Sequence, residues 1–279
     1  GPLAPVVSVG LLLVVSLLAV GPLYLDTLER LAFSRTLTGM GNNLHPQVWT
    51  SFTPFVPDDY LDARKQIRDA AEGALGGSVA GYGVYASTST LRTDLLDPPG
   101  LDALTVFQYR SDYEEYVDVV EGQFPKPVLD GPLEVAIGEP AARTLDLAIG
   151  QTLRMETRLP PPAPSFDAVL VGIVAPRDLT DSYWVAQGAS LFETVTAGDR
   201  WLLRLFLPEE TLLSRLGTEA PAALGTINDI IYMDETALLE MGPTSIDQAL
   251  LDLEGRLAST APSATFIAGL DGAVEQFRR

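Results

Sequence analysis

An uncharged apolar segment lies near the beginning of the chain. It runs from Pro5 to Leu25, reads PVVSVGLLLVVSLLAVGPLYL, and contains no Asp, Glu, Lys or Arg. About 20 such residues form a helix that crosses the ~30 Å hydrocarbon core of a bilayer. A signal peptide fits less well because it needs a basic segment before its apolar run, and a buried helix of a soluble protein rarely stays uncharged for this length. We therefore predict a transmembrane helix over residues 1–25.

A helical pattern continues beyond the apolar segment. Apolar and charged residues alternate with the spacing of an amphipathic helix. The apolar face carries Leu25, Leu28, Leu31 and Ala32, and the charged face carries Asp26, Glu29, Arg30 and Arg35. Gly39 and Gly41 then end the pattern. We predict a helical stalk over residues 26–40.

Behind the stalk, the spacing of apolar residues switches between the period of strands and that of helices. The predicted strands lie at 48–56, 79–90, 104–109, 133–137, 151–155, 166–174, 201–207 and 227–233. The predicted helices lie at 58–75, 139–145, 208–216, 236–241, 246–257 and 266–279.

The order of these elements predicts an α+β protein. Strand, helix, strand and strand follow one another at the beginning, and the same order returns at the end, as in an α/β layer built from both ends. The part between them is rich in strands and contains a stiff Pro-rich loop at 160–164. We predict an α/β subdomain formed by 41–126 and 226–279, with a small β-rich subdomain inserted at 127–225.

The charge of the chain argues against nucleic-acid binding. Asp and Glu outnumber Lys and Arg by 37 to 18, which gives a net charge of −19, whereas phosphate binding requires a basic surface. Such a charge also repels anionic lipid surfaces and is typical of a solvated, solubilising surface. The chain has no cysteine, so disulfides, thiol nucleophiles and cysteine metal ligands are excluded.

Residues that could support catalysis or metal binding are few. The single histidine, His45, precedes a proline and is expected in a turn. Neither G-x-S-x-G nor a Walker A sequence occurs. The acidic residues at 178, 181 and 193 do not have the spacing of a calcium-binding loop. We therefore predict no catalytic residues, no cofactor and no metal site.

One short segment has the composition of a contact surface. Arg177 and Asp178 precede the aromatic pair Tyr183 and Trp184 in a polar stretch, and aromatic residues beside arginine are common at protein interfaces. These four residues are the candidate contact with an extracytoplasmic partner. The alternative is that the aromatic pair completes the core of its own subdomain.

Several short motifs in the middle of the chain resemble one family. Val120-Glu121-Gly122-Gln123-Phe124-Pro125 resembles the Val-x-Gly-x-x-Pro entry of a module in FtsX-like permeases of ABC transporters, the MacB group. The segment 131–142 resembles the strand and small-residue helix of that module. Residues 147–153, LAIGQTL, resemble its Leu-x-x-Gly-[Asp/Gln]-x-Leu turn, 171–173 its Val-Gly-Ile strand, and 178–184 the Asp-x-x-Asp-x-Tyr-Trp segment of one bacterial branch. Gly122 and Gly150 are expected where the chain turns tightly.

The resemblance implies an ectodomain of a transport protein. It implies a first transmembrane helix, a large extracytoplasmic domain and a second transmembrane helix expected just beyond Arg279, so that the chain is part of a longer protein. It also implies a location in the cell membrane and a function in passing ATP-driven motion across the membrane, to export or extract a substrate or to activate an outer partner. The implied partners are a cytoplasmic ATPase subunit, a second copy or homologue of the permease, and the lipid bilayer.

Two other functions fit an anchored domain. A membrane-tethered sensor or ligand-binding ectodomain of a receptor would have a small-molecule pocket. An anchored hydrolase would need a nucleophile and a base, for which one histidine and no cysteine offer little. The sequence therefore favours a transport component that is not an enzyme.

Overall fold

The structure is a computed structural model that describes residue 24 and residues 27–52, 54–93, 102–158, 163–184, 188–197, 200–261 and 263–270. Tyr24 is helical, and the rest of the predicted transmembrane helix at 1–25 lies outside the described residues. Within the described ranges, no helix is both long enough and apolar enough to cross a membrane.

Helices and strands alternate along the described chain. The helices are α1 (27–40), α2 (Pro57–Leu75), α3 (Tyr113–Tyr116), α4 (Glu139–Leu145), α5 (Glu209–Thr211), α6 (Gly217–Glu219), α7 (Glu235–Met241) and α8 (Pro243–Thr260). A π-helical turn at Leu212–Leu216 joins α5 to α6. The strands are β1 (Gln47–Ser51), β2 (Val79–Thr88), β3 (Leu91–Thr93), β4 (Asp102–Arg110), β5 (Val117–Gly122), β6 (Leu133–Gly138), β7 (Thr152–Thr157), β8 (Ser165–Pro176), β9 (Val195–Ala197), β10 (Arg200–Phe206), β11 (Leu224–Met233) and β12 (Ala264–Ile267). The predicted α+β class is confirmed.

Helix α1 leads directly into the folded domain. The side chains of Phe33 and Leu37 are buried, whereas Leu28 and Leu31 are exposed. Residues four apart lie on the same face of a helix, so the buried pair forms the face that α1 packs against the domain. The helix ends at residue 40, and Gly41 follows with a positive φ of 51°, as the glycine-rich sequence predicts.

The described strands form one sheet, part of which closes into a ring. From one edge the order is β12, β1, β11, β2 and β4. Pairing then continues through β3, β7, β8, β6 and β10, and β10 pairs with β4 again, so these six strands form a closed ring. Strand β5 pairs with β8 and β9 pairs with β10 outside that path. Strand β4 therefore belongs to both the ring and the open sheet.

Helices α2 and α8 cover one face of the open sheet. Pro57 occupies the first turn of α2. Proline is tolerated there because an N–H at that position has no partner within the helix. The apolar residues of α8 are buried at the predicted spacing: Ile246, Leu250, Leu253 and Leu257. They pack with Ile67 and Leu75 of α2 and with the inner residues of β1 and β11 in one cluster. Burying these stripes stabilises the helices on the sheet.

A second cluster fills the inside of the strand ring. Each of the six strands contributes a buried side chain to it: Leu91, Phe107, Leu153, Leu170, Val135 and Leu205. The burial of β7 alternates strictly along its length, because successive side chains of a strand point to opposite faces. A third cluster, which is largely aromatic, packs on the outside of the ring. Ala136 and Phe206 belong to it, whereas the residues on either side of each in the sequence point into the ring.

Two of the predicted elements differ clearly from the structure in their bounds or type. The predicted helix at 266–279 is wrong at its beginning, because Ala264–Ile267 form strand β12 on the free edge of β1. Residues 271–279 lie outside the described residues. The predicted strand at 48–56 ends at Ser51. The N–H of Phe55 then donates to the carbonyl oxygen of Pro221 at 3.1 Å, which takes the chain out of the sheet.

Candidate functional site

The candidate partner residues divide into an exposed and a buried pair. Arg177 and Asp178 are exposed. Nε of Arg177 lies 2.9 Å from Asp118 Oδ1, and Nη1 donates to the carbonyl oxygen of Glu115 at 2.7 Å. Hydrogen bonds from the hydroxyl and the N–H of Thr180 hold the pKa of Asp178 below its usual range. Both residues thus shape a surface turn at the end of β8.

Tyr183 and Trp184 lie in the aromatic cluster and not on the surface. They are 4% and 1% exposed. The Tyr183 ring stacks on Tyr116 with centroids 3.6 Å apart, and its hydroxyl donates to the carbonyl oxygen of Ser111. Nε1 of Trp184 donates to the carbonyl oxygen of Asp178 at 2.9 Å. The structure places both side chains in the protein's own core, as in the alternative interpretation of the sequence.

A cavity of about 350 Å³ opens where strands β4 and β10 end. The two strands run parallel, with Phe206 opposite Gln108, so their carboxyl ends lie at the same edge. The wall is formed by residues of 109–115 and 206–209 together with Phe124 and Pro125.

The inside of the cavity is aromatic and its rim is acidic. Tyr113 stacks on Phe206 with ring centroids 4.4 Å apart and meets the edge of Phe124 at 6.4 Å. The exposed carboxylates Asp112, Glu114 and Glu115 stand at the rim. Asp112 takes the left-handed conformation, with φ of 57°, and so turns the chain from β4 into α3. The hydroxyl of Tyr113 is buried, and burial raises its pKa.

A buried arginine lies at the end of β4 and lines the same cavity. Arg110 is 3% exposed. Its Cζ lies 4.4 Å from the ring centroid of Tyr183 and 5.5 Å from that of Trp184, within the range of cation–π attraction. Among the described residues, its Nε and Nη2 have no hydrogen-bond partner. Burial raises the pKa of nearby Tyr232 to about 12, against the opposing effect of the Arg110 charge.

A network of charged and phenolic groups borders the cavity. Nη1 of Arg64 lies 2.7 Å from Oε1 of Glu209, which also accepts from the Tyr60 hydroxyl at 2.9 Å. Nε of Arg64 lies 3.6 Å from Oδ1 of Asp229, which is 5% exposed. Burial raises the pKa of Asp229 to about 6, although the positive charges of Arg64 and Arg68 counteract this effect. The network joins α2 to β11 and to the helix after β10.

The glycines of the three motifs meet where β5, β8 and the turn before β7 come together. Gly122 and Gly150 have φ of 80° and 86°, as their predicted positions in tight turns require. A Cβ on Gly122 would lie 2.1 Å from the carbonyl oxygen of Val171, and one on Gly172 would lie 2.3 Å from that of Gln123. The N–H of Gly150 donates to the carbonyl oxygen of Leu170 at 2.7 Å. The motif residues therefore support one another's backbone.

The single histidine takes part in backbone hydrogen bonding. Among the described residues, no group of three or more His, Asp and Glu side chains could hold a metal ion. His45 is buried, and its Nδ1 accepts from the N–H of Met233 at 3.2 Å, so it completes the backbone pairing beside β11. What the cavity offers is aromatic surface, carboxylates and one buried guanidinium.

Sequence reasoning missed the cavity and its central residues. Arg110 and Glu209 were not recognised as candidates, and neither were Arg64 and Asp229. The sequence of β4 contains one pattern that could have indicated these residues. Polar Gln108 and Arg110 alternate with apolar or aromatic residues, and the strand is largely buried. Alternation of this kind is typical of a strand with one polar face.

Comparison with known proteins gives structural similarity only. No protein-family model and no curated protein matches the sequence. The periplasmic region of MacB from Actinobacillus actinomycetemcomitans is similar at 14% identity and a TM-score of 0.40, covering 87% of this chain and 96% of that one. The extracellular domain of the ABC-type transporter YknZ from Gram-positive bacteria is similar at 10% identity and a TM-score of 0.40, covering 80% and 99%.

Proposed function

We propose that this chain is the extracytoplasmic domain of an ABC transporter permease, with its first transmembrane helix. It would pass ATP-driven motion across the membrane to export or extract a substrate or to activate an outer partner. The observation that supports this most is the set of glycine motifs at 122, 150 and 172. They resemble those of FtsX-like permeases in order and spacing. Gly122 and Gly172 lie too close to neighbouring backbone to accept a Cβ, and Gly150 has a positive φ.

The same proposal assigns a function to each part of the chain. Residues 1–25 are the membrane helix, 26–40 the stalk, 41–126 and 226–279 the α/β subdomain, and 127–225 the inserted subdomain. The exposed pair Arg177 and Asp178 is the proposed contact with an outer partner. A cytoplasmic ATPase and a second permease copy complete the transporter.

Topology can be tested directly, because the chain has no cysteine of its own. We expect a Ser259→Cys variant, changed at an exposed position of α8, to react with a membrane-impermeant maleimide in intact cells. Expressed with its membrane partners, the protein should also co-purify with an ATPase after detergent extraction. Labelling only after cell lysis would contradict the extracytoplasmic location, and purification without an ATPase would contradict the transporter function.

The stalk is tested by breaking its helix. Proline in a helix interior removes a hydrogen bond and costs about 3 kcal/mol. Leu31 is half exposed, so Leu31→Pro should leave the domain folded while uncoupling ATP hydrolysis from it. We expect the stimulation of ATPase activity by the outer partner to be lost in Leu31→Pro and kept in Leu31→Ala. Equal stimulation in both variants would refute the mechanical function of the stalk.

A further inference from the structure

Polar side chains attach the base of helix α1 to the rest of the domain. The hydroxyl of Thr38 donates to Oε1 of Glu235 at 2.8 Å. The turn Gly41–Leu44 follows, and the next residue, His45, accepts a hydrogen bond at Nδ1 from the N–H of Met233 on β11 at 3.2 Å. The first contact is exposed and the second is buried. Loss of the His45 contact would therefore leave a backbone N–H unpaired away from water.

The hydrogen bond at His45 exists in only one protonation state of the ring. A neutral imidazole has one N–H donor and one acceptor nitrogen. Because Nδ1 accepts from Met233, the hydrogen of the neutral ring is on Nε2. A second proton would make Nδ1 a donor. It would then face another donor, the N–H of Met233, and the hydrogen bond would be lost.

We propose that His45 is an acid-sensitive contact between the base of α1 and strand β11, and that it opens when the ring takes up a second proton. Opening releases the N–H of Met233 and the side chain that fixes the end of the turn Gly41–Leu44. The neighbouring bond, from the N–H of Ile231 to the carbonyl oxygen of Pro46 at 2.9 Å, contains no titrating group and limits the opening. This inference does not depend on the proposed transport function.

The surroundings of His45 favour the neutral ring. The residue is 7% exposed, and burial lowers the pKa of His45 from its ordinary value of 6.5. The ring of Tyr232 on β11 lies perpendicular to the imidazole, with centroids 5.4 Å apart. Burial raises the pKa of Tyr232 to about 12, so this phenol carries no charge that could stabilise a protonated histidine.

The charged groups near this contact are engaged elsewhere. The carboxylate of Asp234, next to Met233, accepts from the N–H of Ala237 at the start of α7. Glu235 is bonded to Thr38. The ionisable groups that act on Tyr232 from the far side are Arg110, Tyr116, Asp112 and Asp181.

The sign of the pH effect follows from the lowered pKa. Below pH 6.5 the unfolded chain binds more protons at His45 than the folded protein does, so the stability contributed by His45 falls as the pH falls. Asp229 acts in the opposite direction between 3.8 and about 6. Global stability therefore mixes the two effects, and a measurement at the contact itself is needed.

The presence of a single histidine makes that measurement direct. If the full chain is purified in detergent with a tag that lacks histidine, His45 gives the only imidazole signal in an NMR titration. We expect its midpoint to lie below pH 6.5. One pH unit below the midpoint, the protection of the Met233 amide against hydrogen exchange should be about tenfold lower, because about a tenth of the rings are then neutral.

The amide of Ile231 is the control within the same strand, and its protection should not change across the midpoint. A midpoint at or above pH 6.5 would overturn the proposal. Equal protection of Met233 on both sides of the midpoint would overturn it as well. Neither result requires a variant.

Substitutions separate the proton from the hydrogen bond. His45→Asn keeps an acceptor oxygen but has no titrating ring, so Met233 should stay protected and lose its acid dependence. His45→Phe removes the acceptor, so protection should be low at every pH. Asp229→Asn removes the other titrating group of β11 and should leave the acid dependence unchanged. Acid dependence that survives in His45→Asn, or disappears in Asp229→Asn, would refute the assignment to His45.

Discussion

Replacing Gly122 with alanine is expected to lower the free energy of unfolding by about 3 kcal/mol or more, since a left-handed backbone and a steric clash each cost about 1–3 kcal/mol. The residue has φ of 80°, and a new Cβ would lie 2.1 Å from the carbonyl oxygen of Val171. That oxygen accepts from the N–H of Gln123 at 2.8 Å, so it cannot move without breaking the bond that holds β5 to β8. Chemical denaturation of the purified protein measures the loss.

The matched control is Gly131→Ala. Gly131 has nearly the same φ, 82°, but nothing lies within 4 Å of its added Cβ, so only the backbone cost of about 1 kcal/mol is expected. The difference between the two variants isolates the clash. An equal effect in both would show that the close approach of β5 and β8 contributes nothing to stability.

Replacing Arg64 with methionine is expected to lower stability by about 3–5 kcal/mol at pH 8, the usual cost of removing one partner of a buried ion pair. The change leaves the carboxylates of Asp229 and Glu209 without the cation that joins them. Arg256→Met is the control, because its pair with Asp252 is half exposed and contributes only about 0.3–0.5 kcal/mol.

The stability loss caused by Arg64→Met should increase as the pH rises. Burial raises the folded-state pKa of Asp229 to about 6, above the ordinary aspartate value of 3.8, so between these values the folded protein binds more protons than the unfolded chain. Stability therefore falls as pH rises through this window, by about 3 kcal/mol for a shift of two pKa units. Without Arg64 the pKa rises further, and the defect of Arg64→Met should grow above pH 6.

A double variant checks that assignment. Asp229→Asn removes the charge that Arg64 neutralises, so it should flatten the pH dependence and restore part of the stability of Arg64→Met at pH 8. Denaturation midpoints at pH 5, 6, 7 and 8 give the comparison. A defect of Arg64→Met that is the same at pH 5 and pH 8, or no restoration by Asp229→Asn, would show that the network is not the cause.

The elements with strong periodicity could be predicted from the sequence. Helix α8 was predicted from the spacing of its four buried leucine and isoleucine residues, and α2 from its proline start and glycine end. Strand β5 was missed because only one side of it is paired and most of its side chains are exposed. Strand β12 was missed because four residues are too few to show an alternating pattern. Its extended conformation is determined by pairing with β1.

The cavity could not be predicted because it depends on a parallel pairing between distant segments. Residues 109–115 and 206–209 come together only through the register of β4 and β10, and no local pattern encodes that register. The same holds for Tyr183 and Trp184. Their segment is polar in sequence, and they are buried because Arg110 and Tyr116, far away in the chain, pack against them.

The shared strand β4 connects the ring of strands to the open sheet. Strand β2 pairs with β11 along most of its length but meets β4 over only three residues, Tyr85–Ser87 against Gln108–Arg110. The cavity lies at one end of this pairing, beside Arg110. Under the proposed transport function, a force entering through α1 would reach the strand ring through this short pairing and through the Arg64–Glu209 ion pair beside it.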